Sequence, residues 1–235
     1  MGNMIEFQYI KETFLYILPY LPVTLLLTFG SMAVGILFGM IGAVAILKRI
    51  PVLRQIIEFL VLISRSMPSL ILLYVIYYAL PLIFLMIDQK YGIHVPYEKM
   101  APEWVALIGL GIHVGAYLEE VFRAAVLSVP KGQMEAALTQ GMSWYQGFFR
   151  IVLPQSVIFA LPSVANNFLD LLKVTSVVFV ITVTDIFGAA KIYTVSNYRY
   201  FEAFLAVGLT YWGLGMIFEY LFYQGERAAS RYIHT

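Results

Sequence analysis

Five stretches of this 235-residue chain are apolar over the length a membrane crossing needs, about 20 residues, and no other feature limits its fold so strongly. They run over about 19–47, 57–86, 104–127, 154–184 and 203–223. Inside lipid a backbone must satisfy its hydrogen bonds within itself, so such runs are helices. The expected class is all-α integral membrane, a single transmembrane domain of about five helices. Only 12% of residues are charged, against about 25% in soluble domains, and 61% are hydrophobic, with a mean hydropathy of +0.82. Runs longer than the minimum point to tilt, proline breaks or extension beyond the bilayer. Gly30, Gly35, Gly39 and Gly42 lie in the first run. Gly35 and Gly39 form a GxxxG pair that lets a second helix approach closely, although membrane helices are also glycine-rich in general.

Charge and composition exclude several functions. The net charge of +1 leaves no basic patch, so no nucleic-acid partner is expected. There are no cysteines, hence no disulfides and no thiolate metal sites. His94, His113 and His234 lie in three different environments, so no metal site is expected. The opening MGNMIEFQYIKETF has neither the pattern of a cleaved signal peptide nor that of a myristoylation site. Lys48, Arg49 and Arg54 follow the first run, Arg123, Lys131 and Arg150 lie between the third and fourth, and Arg227 and Arg231 follow the fifth. The positive-inside rule puts these ends in the cytoplasm, with the N-terminus outside and the C-terminus cytoplasmic.

Residues 133–155, QMEAALTQGMSWYQGFFRIVLPQ, then fall in a cytoplasmic loop of about 132–154. The segment is amphipathic and too polar to span. A helix lying on lipid carries Lys and Arg on its polar face, yet no base occurs between Gln133 and Phe149. Met134, Ala137, Leu138 and Gly141 recur at helical spacing, which suits either a docked protein or packing on the chain's own spans. Glu135 can cap the helix start or pair with a partner's base, and Gly141 can serve contact or a helix C-cap.

Polar residues deep in spans are expensive and mark function first. His113, Tyr117 and Glu120 fall at i, i+4 and i+7 on the third run. Counted from Glu103 at about 1.5 Å per residue, His113 lies about 15 Å deep, near the midplane. Glu120 can pair with Arg123 or with another protomer. In NNFLDLLKVTS on the fourth run, Asn166, Asp170 and Lys173 again fall at i, i+4 and i+7, with Asn167 and Ser176 beside them. An acid and a base one turn apart match the two charges of an amino acid, or pair with each other and stabilise the bundle.

The loop also resembles a known family. EAA, three residues, Gly, nine residues and I-x-L-P match the EAA loop of ABC importer permeases at Glu135, Ala136, Ala137, Gly141, Ile151, Leu153 and Pro154. GAYLEEVFRAAVLSVPKGQMEAA, LPSVANNF, LLKVTSV and VTLLLTFGSMAVGILFGMIGAV resemble the polar amino-acid uptake subfamily, which transports histidine, glutamine, arginine or cystine. The resemblance implies a type I importer (MetI-like) transmembrane fold in the bacterial inner membrane, multi-pass. Its EAA helix is a coupling helix seated in a cytoplasmic ABC ATPase dimer. ATP and Mg would be bound by that partner, with no cofactor in this chain. The other implied partners are a second permease chain, the same or similar, an extracytoplasmic solute-binding protein, the amino-acid substrate and membrane lipid. Transport would proceed by alternating access. Arg65 and Pro68 in SRSMPS resemble the family's R-G-T-P element, a place for a helix kink or break and for gating. One departure stands out: where the subfamily reads K-D-T-S, this chain has Lys173, Val174, Thr175 and Ser176. Asp170 is read as the relocated acid, and its relocation favours cystine or a neutral or zwitterionic amino acid over a strongly cationic one.

No G-x-x-x-x-G-K-[ST] occurs, so the chain cannot cradle nucleotide phosphates itself and is not an enzyme. No H-E-x-x-H or G-x-S-x-G points to an intramembrane hydrolase. The alternatives are an ion-coupled secondary carrier with Asp170, Lys173 and Glu120 as proton relays, and a membrane anchor or signalling protein. The first predicts uptake without ATP and the second no solute-dependent change in partner activity.

Overall fold

The computed structural model describes residues 6–94 and 96–230; the initial MGNMI, Arg231 and His234 lie outside them. All regular elements among the described residues are helical. Five stretches are long and apolar enough to cross a membrane: Phe7–Leu47, Ser69–Tyr91, Pro102–Ser128, Trp144–Ile181 and Tyr200–Ala229.

Prolines divide these stretches. Helix α1 (Phe7–Ile17) leads through a 3₁₀ turn at Leu18–Tyr20 into α2 (Leu21–Leu47), with Pro19 and Pro22 at the starts of the turn and of α2. The first apolar stretch therefore begins a full helix earlier than the sequence run at 19. The run at 57–86 is two helices, α3 (Leu53–Ser66) and α4 (Ser69–Tyr91). Pro68 lacks an N–H and drives Met67 into extended backbone at φ −101°, so the helix stops there. Helix α4 ends at Gly92, whose left-handed backbone (φ 65°) aims its N–H at the Asp88 carbonyl.

The centre of the molecule is the pairing of α2 with α5 (Pro102–Ser128). Glycine makes it possible on both sides. A Cβ on Gly35 would stand 3.1 Å from the Gly111 carbonyl oxygen, and one on Gly115 would stand 3.0 Å from that of Gly35. Gly39 faces the Leu118 backbone and Gly42 faces the Glu119 side chain. The Ser31 hydroxyl donates to the Leu107 carbonyl at 3.0 Å across the same seam. Helix α8 (Leu153–Val174) packs on α5 and on α10 (Tyr200–Ser230), and Phe168 meets Phe29, Phe218 and Phe222 with centroids 4.9–5.2 Å apart.

Residues between the fourth and fifth apolar runs include a helix, α9 (Ile186–Asn197). Asp185 caps it, accepting from the Gly188 N–H at 2.8 Å and the Tyr211 hydroxyl at 2.9 Å, while Thr24 accepts the Ile186 N–H at 3.2 Å. This node, in which Asp185 and Thr24 are fully buried, joins α2, α9 and α10. Beside it Ile17, Ile186, Ala189, Ala190 and Val207 form a small second core under α1. Arg199 closes that end with ion pairs to Glu6 at 2.6 Å and Glu202 at 3.4 Å.

The glycine seam makes a stability prediction. Alanine at Gly35 or Gly115 meets backbone that cannot yield, and overpacking of this kind costs about 1–3 kcal/mol. Gly213 has nothing within 4 Å of an added Cβ. Thermal denaturation of purified protein in detergent should therefore show a lower midpoint for G35A and G115A and none for G213A.

Candidate functional site

The EAA segment folds as a compact hairpin of its own. Helix α6 (Lys131–Thr139) packs on the short helix α7 (Trp144–Gly147) and on the π-helical turn Phe148–Val152 that leads into α8. Gly141 turns the chain with φ 82°, and its N–H reaches the Leu138 carbonyl at 3.0 Å. A Cβ there would meet nothing within 4 Å, so glycine is needed for its dihedral rather than for space. Ser143 and Gln146 then form a reciprocal capping box with bonds of 3.3 and 2.9 Å that starts α7. The sequence S-W-Y-Q carries that signal, which the reading of the loop as one amphipathic stretch passed over.

The hairpin separates its EAA residues. Ala137 is 2% exposed and lies against Gly147, which also meets the Met134 sulfur. Ala137 therefore holds the hairpin together from within. Glu135, Ala136, Leu138 and Gly141 are exposed, as are Trp144, Tyr145 and Phe149. Glu135 does not cap the helix, and among the described residues it makes no ion pair. Trp144 stacks on Phe148 with centroids 5.2 Å apart, and the Lys48 ammonium sits 5.8 Å over the Trp144 ring, tying the hairpin to the end of α2.

A second group of residues lines the groove between α5 and α8. A cavity of about 240 Å³ is bounded by His113, Val114, Tyr117, Asn167, Asp170, Leu171 and Val174. An adjoining one of about 310 Å³ shares Tyr117 and Asn167 and adds Glu120, Ser163 and apolar or small residues. His113 and Tyr117 meet edge to face at 5.4 Å. Asn167 donates to the Ser163 carbonyl at 2.8 Å. Asp170 and Val174 border one cavity, so an acid at 170 reaches the space that an acid at 174 would reach.

Other candidates sit elsewhere. Asn166 lines the groove between α8 and α10 with Glu219 and Tyr220. Residues four apart are about 40° apart around a helix, enough to put Asn166 and Asp170 against different neighbours. Lys173 bonds Asp170 at 2.7 Å but borders neither α5–α8 cavity. The Ser176 hydroxyl donates back to the Lys173 carbonyl at 2.8 Å. Glu120 pairs with Arg65, whose guanidinium also lies 5.5 Å over the Tyr117 ring. Arg123 instead approaches Glu119 at 3.5 Å, one turn back on its own helix. Glu119 is only 4% exposed and packs beneath Gly42. Sequence reasoning missed both arrangements. The Glu119–Arg123 spacing was legible; the Arg65–Glu120 pair joins residues 55 apart and was not.

Residues 35–230 match the family model of the binding-protein-dependent transport system inner membrane component. The chain is 37% identical over 233 residues to YxeN of Bacillus subtilis, described as a probable amino-acid permease protein, covering 99% of this chain and 100% of YxeN. It is 32% identical to the L-cystine transport system permease protein TcyL of the same organism, over 88% of this chain and 84% of TcyL. A solved amino acid ABC transporter crystallised with histidines superposes with a TM-score of 0.80 at 26% identity, over 96% of this chain and 100% of its own. The chain belongs to the binding-protein-dependent transport inner membrane component family: it is the non-catalytic permease subunit of an amino-acid ABC importer, a multi-pass protein of the bacterial inner membrane whose ATP hydrolysis is done by a separate ATPase.

Proposed function

We propose that the hairpin at 131–147 is the coupling element seated on a cytoplasmic ABC ATPase dimer, and that the α5–α8 groove is the solute path. The observation that carries the first half is the division of the EAA residues. Ala137 is buried within the hairpin, while Glu135, Ala136, Leu138 and Gly141 form a free surface beside Trp144 and Tyr145. Such a rigid, self-packed unit transmits displacement without melting. In this reading the hairpin and the C-terminus are cytoplasmic, the N-terminus is outside, and a second permease chain completes the path. An extracytoplasmic binding protein delivers the solute, and ATP and Mg stay with the ATPase.

The solute is a neutral or zwitterionic amino acid, or cystine. Asp170 and Glu120 are each neutralised by a base, so the groove as a whole carries no net charge to attract a cation. The relocated acid at 170, with Val174 beside it, supports the same choice. His113, Tyr117 and Asn167 supply the remaining polar contacts, whereas Asn166 and Ser176 stand at the margin.

Two experiments test this. Affinity purification of the tagged chain from native membranes in mild detergent should recover a Walker-motif ATPase, and the paired substitutions Glu135→Ala and Gly141→Val should remove it. Recovery of the chain without any ATPase would favour the ion-coupled carrier. In proteoliposomes of the complex, Asp170→Asn should lower ATP-driven amino-acid uptake about tenfold or more, the scale for a lost charged contact. Unchanged uptake and affinity would remove Asp170 from the path.

A further inference from the structure

The corner between α2 and α3 holds two left-handed residues, and neither is glycine. The N–H groups of Arg49 (φ 51°) and Ile50 reach back to the Ile46 and Ala45 carbonyls at 3.1 and 2.9 Å. This closure of a helix ordinarily puts glycine where Arg49 stands. Val52 (φ 66°, ψ −58°) then centres a γ-turn, in which the Leu53 N–H donates to the Pro51 carbonyl at 2.7 Å. A γ-turn of this hand is rare and strained, and a β-branched residue fits it poorly. Strain of this kind persists where neighbouring structure holds it, and it clusters at switch regions. The Val52 side chain is exposed, so the corner is held from its two ends and not by packing of its own. At one end the Lys48 ammonium stands over the Trp144 ring, which stacks on Phe148. At the other, Ile57 of α3 packs where Gly42 of α2 leaves room for it.

We infer that Lys48 is a positioning residue for energy coupling: through the Trp144 ring it passes movement of the hairpin to the α2–α3 corner, which turns as a hinge and carries α3 with it. This rests on the reading of the hairpin as the coupling element. Helix α8 receives the hairpin's movement through the chain itself, by way of the π-helical turn. Helices α2 and α3 lie far earlier in the chain and must receive it across space, and the Lys48–Trp144 contact is such a bridge. A cation over a ring face is held by electrostatics and not by one fixed bond, so the contact tolerates the sliding that a moving joint requires. Helix α3 is bounded by the strained corner at one end and by the Pro68 break at the other. A turn at the corner therefore moves it as a unit, together with the ion pair that joins it to Glu120 of α5.

Hydrogen exchange of the purified permease–ATPase complex in nanodiscs, nucleotide-free and trapped with ATP and vanadate, tests this with no solute needed. In the wild type, amide exchange from Arg49 to Ile56 should differ about two- to fivefold between the two states, the scale of one exposed cation–π contact. Lys48→Met keeps the aliphatic stem and removes the charge. It should abolish the difference at the corner while the hairpin, residues 131–147, still responds to ATP and vanadate. Lys48→Arg keeps a cation over the ring and should restore the response. In a Trp144→Leu background, Lys48→Met should add no further change. A corner that does not respond in the wild type, a response that survives K48M, one that K48R does not restore, or a further loss from K48M on top of W144L overturns the inference while the hairpin keeps its role. A wild-type hairpin whose exchange is the same in both states overturns the coupling-element reading, and the inference with it.

Discussion

The close approach of α2 to α5 is the contact on which the rest of the structure depends. In lipid no hydrophobic effect draws two apolar helices together, so their association relies on van der Waals contact and short polar links. Gly35 and Gly39 on one helix meet Gly111, Gly115 and Leu118 on the other, near enough for backbone to touch backbone. With α5 fixed in this way, its opposite face presents His113, Tyr117 and Glu120 toward α8 and α3. The seam also sets the depth of Glu119, which occupies the space left by Gly42.

Around that seam the chain pairs its charges locally. Asp170 meets Lys173 one turn away, Glu119 approaches Arg123, and Glu120 takes Arg65 from another helix. Pairing places polar residues at the groove with each carboxylate matched by a base. The Asp185 node follows the same rule with neutral donors: two hydrogen bonds meet a fully buried carboxylate where three helices converge.

The loop between α5 and α8 solves a different problem. It must hold its shape at the end of the bundle, where Lys48 over Trp144 ties it to α2. It does so with a left-handed glycine, a capping box and an alanine–glycine contact that closes two short helices on each other. The π-helical turn at Phe148–Val152 then carries the hairpin directly into α8, the helix that bears Asn167 and Asp170. The hairpin and the groove wall thereby lie on one continuous element.

Length and apolar periodicity made the class legible from the sequence, because a bilayer leaves the backbone only a helical solution at these run lengths. The EAA spacing was legible as a resemblance to the importer family, whereas the left-handed turn that Gly141 makes there came from the structure. The ends of helices were less so. Pro68 signalled a break, but the start of α1 and the existence of α9 depend on a small second core assembled from residues as far apart as Ile17 and Val207. Helical spacing put His113, Tyr117 and Glu120 on one face, yet spacing within a helix is silent about the helix across from it. That Asn166 looks toward α10 while Asn167 looks toward α5, and that Glu120 answers to Arg65 and not to Arg123, was decided by the rotation and register of packed helices, which only the tertiary contacts set.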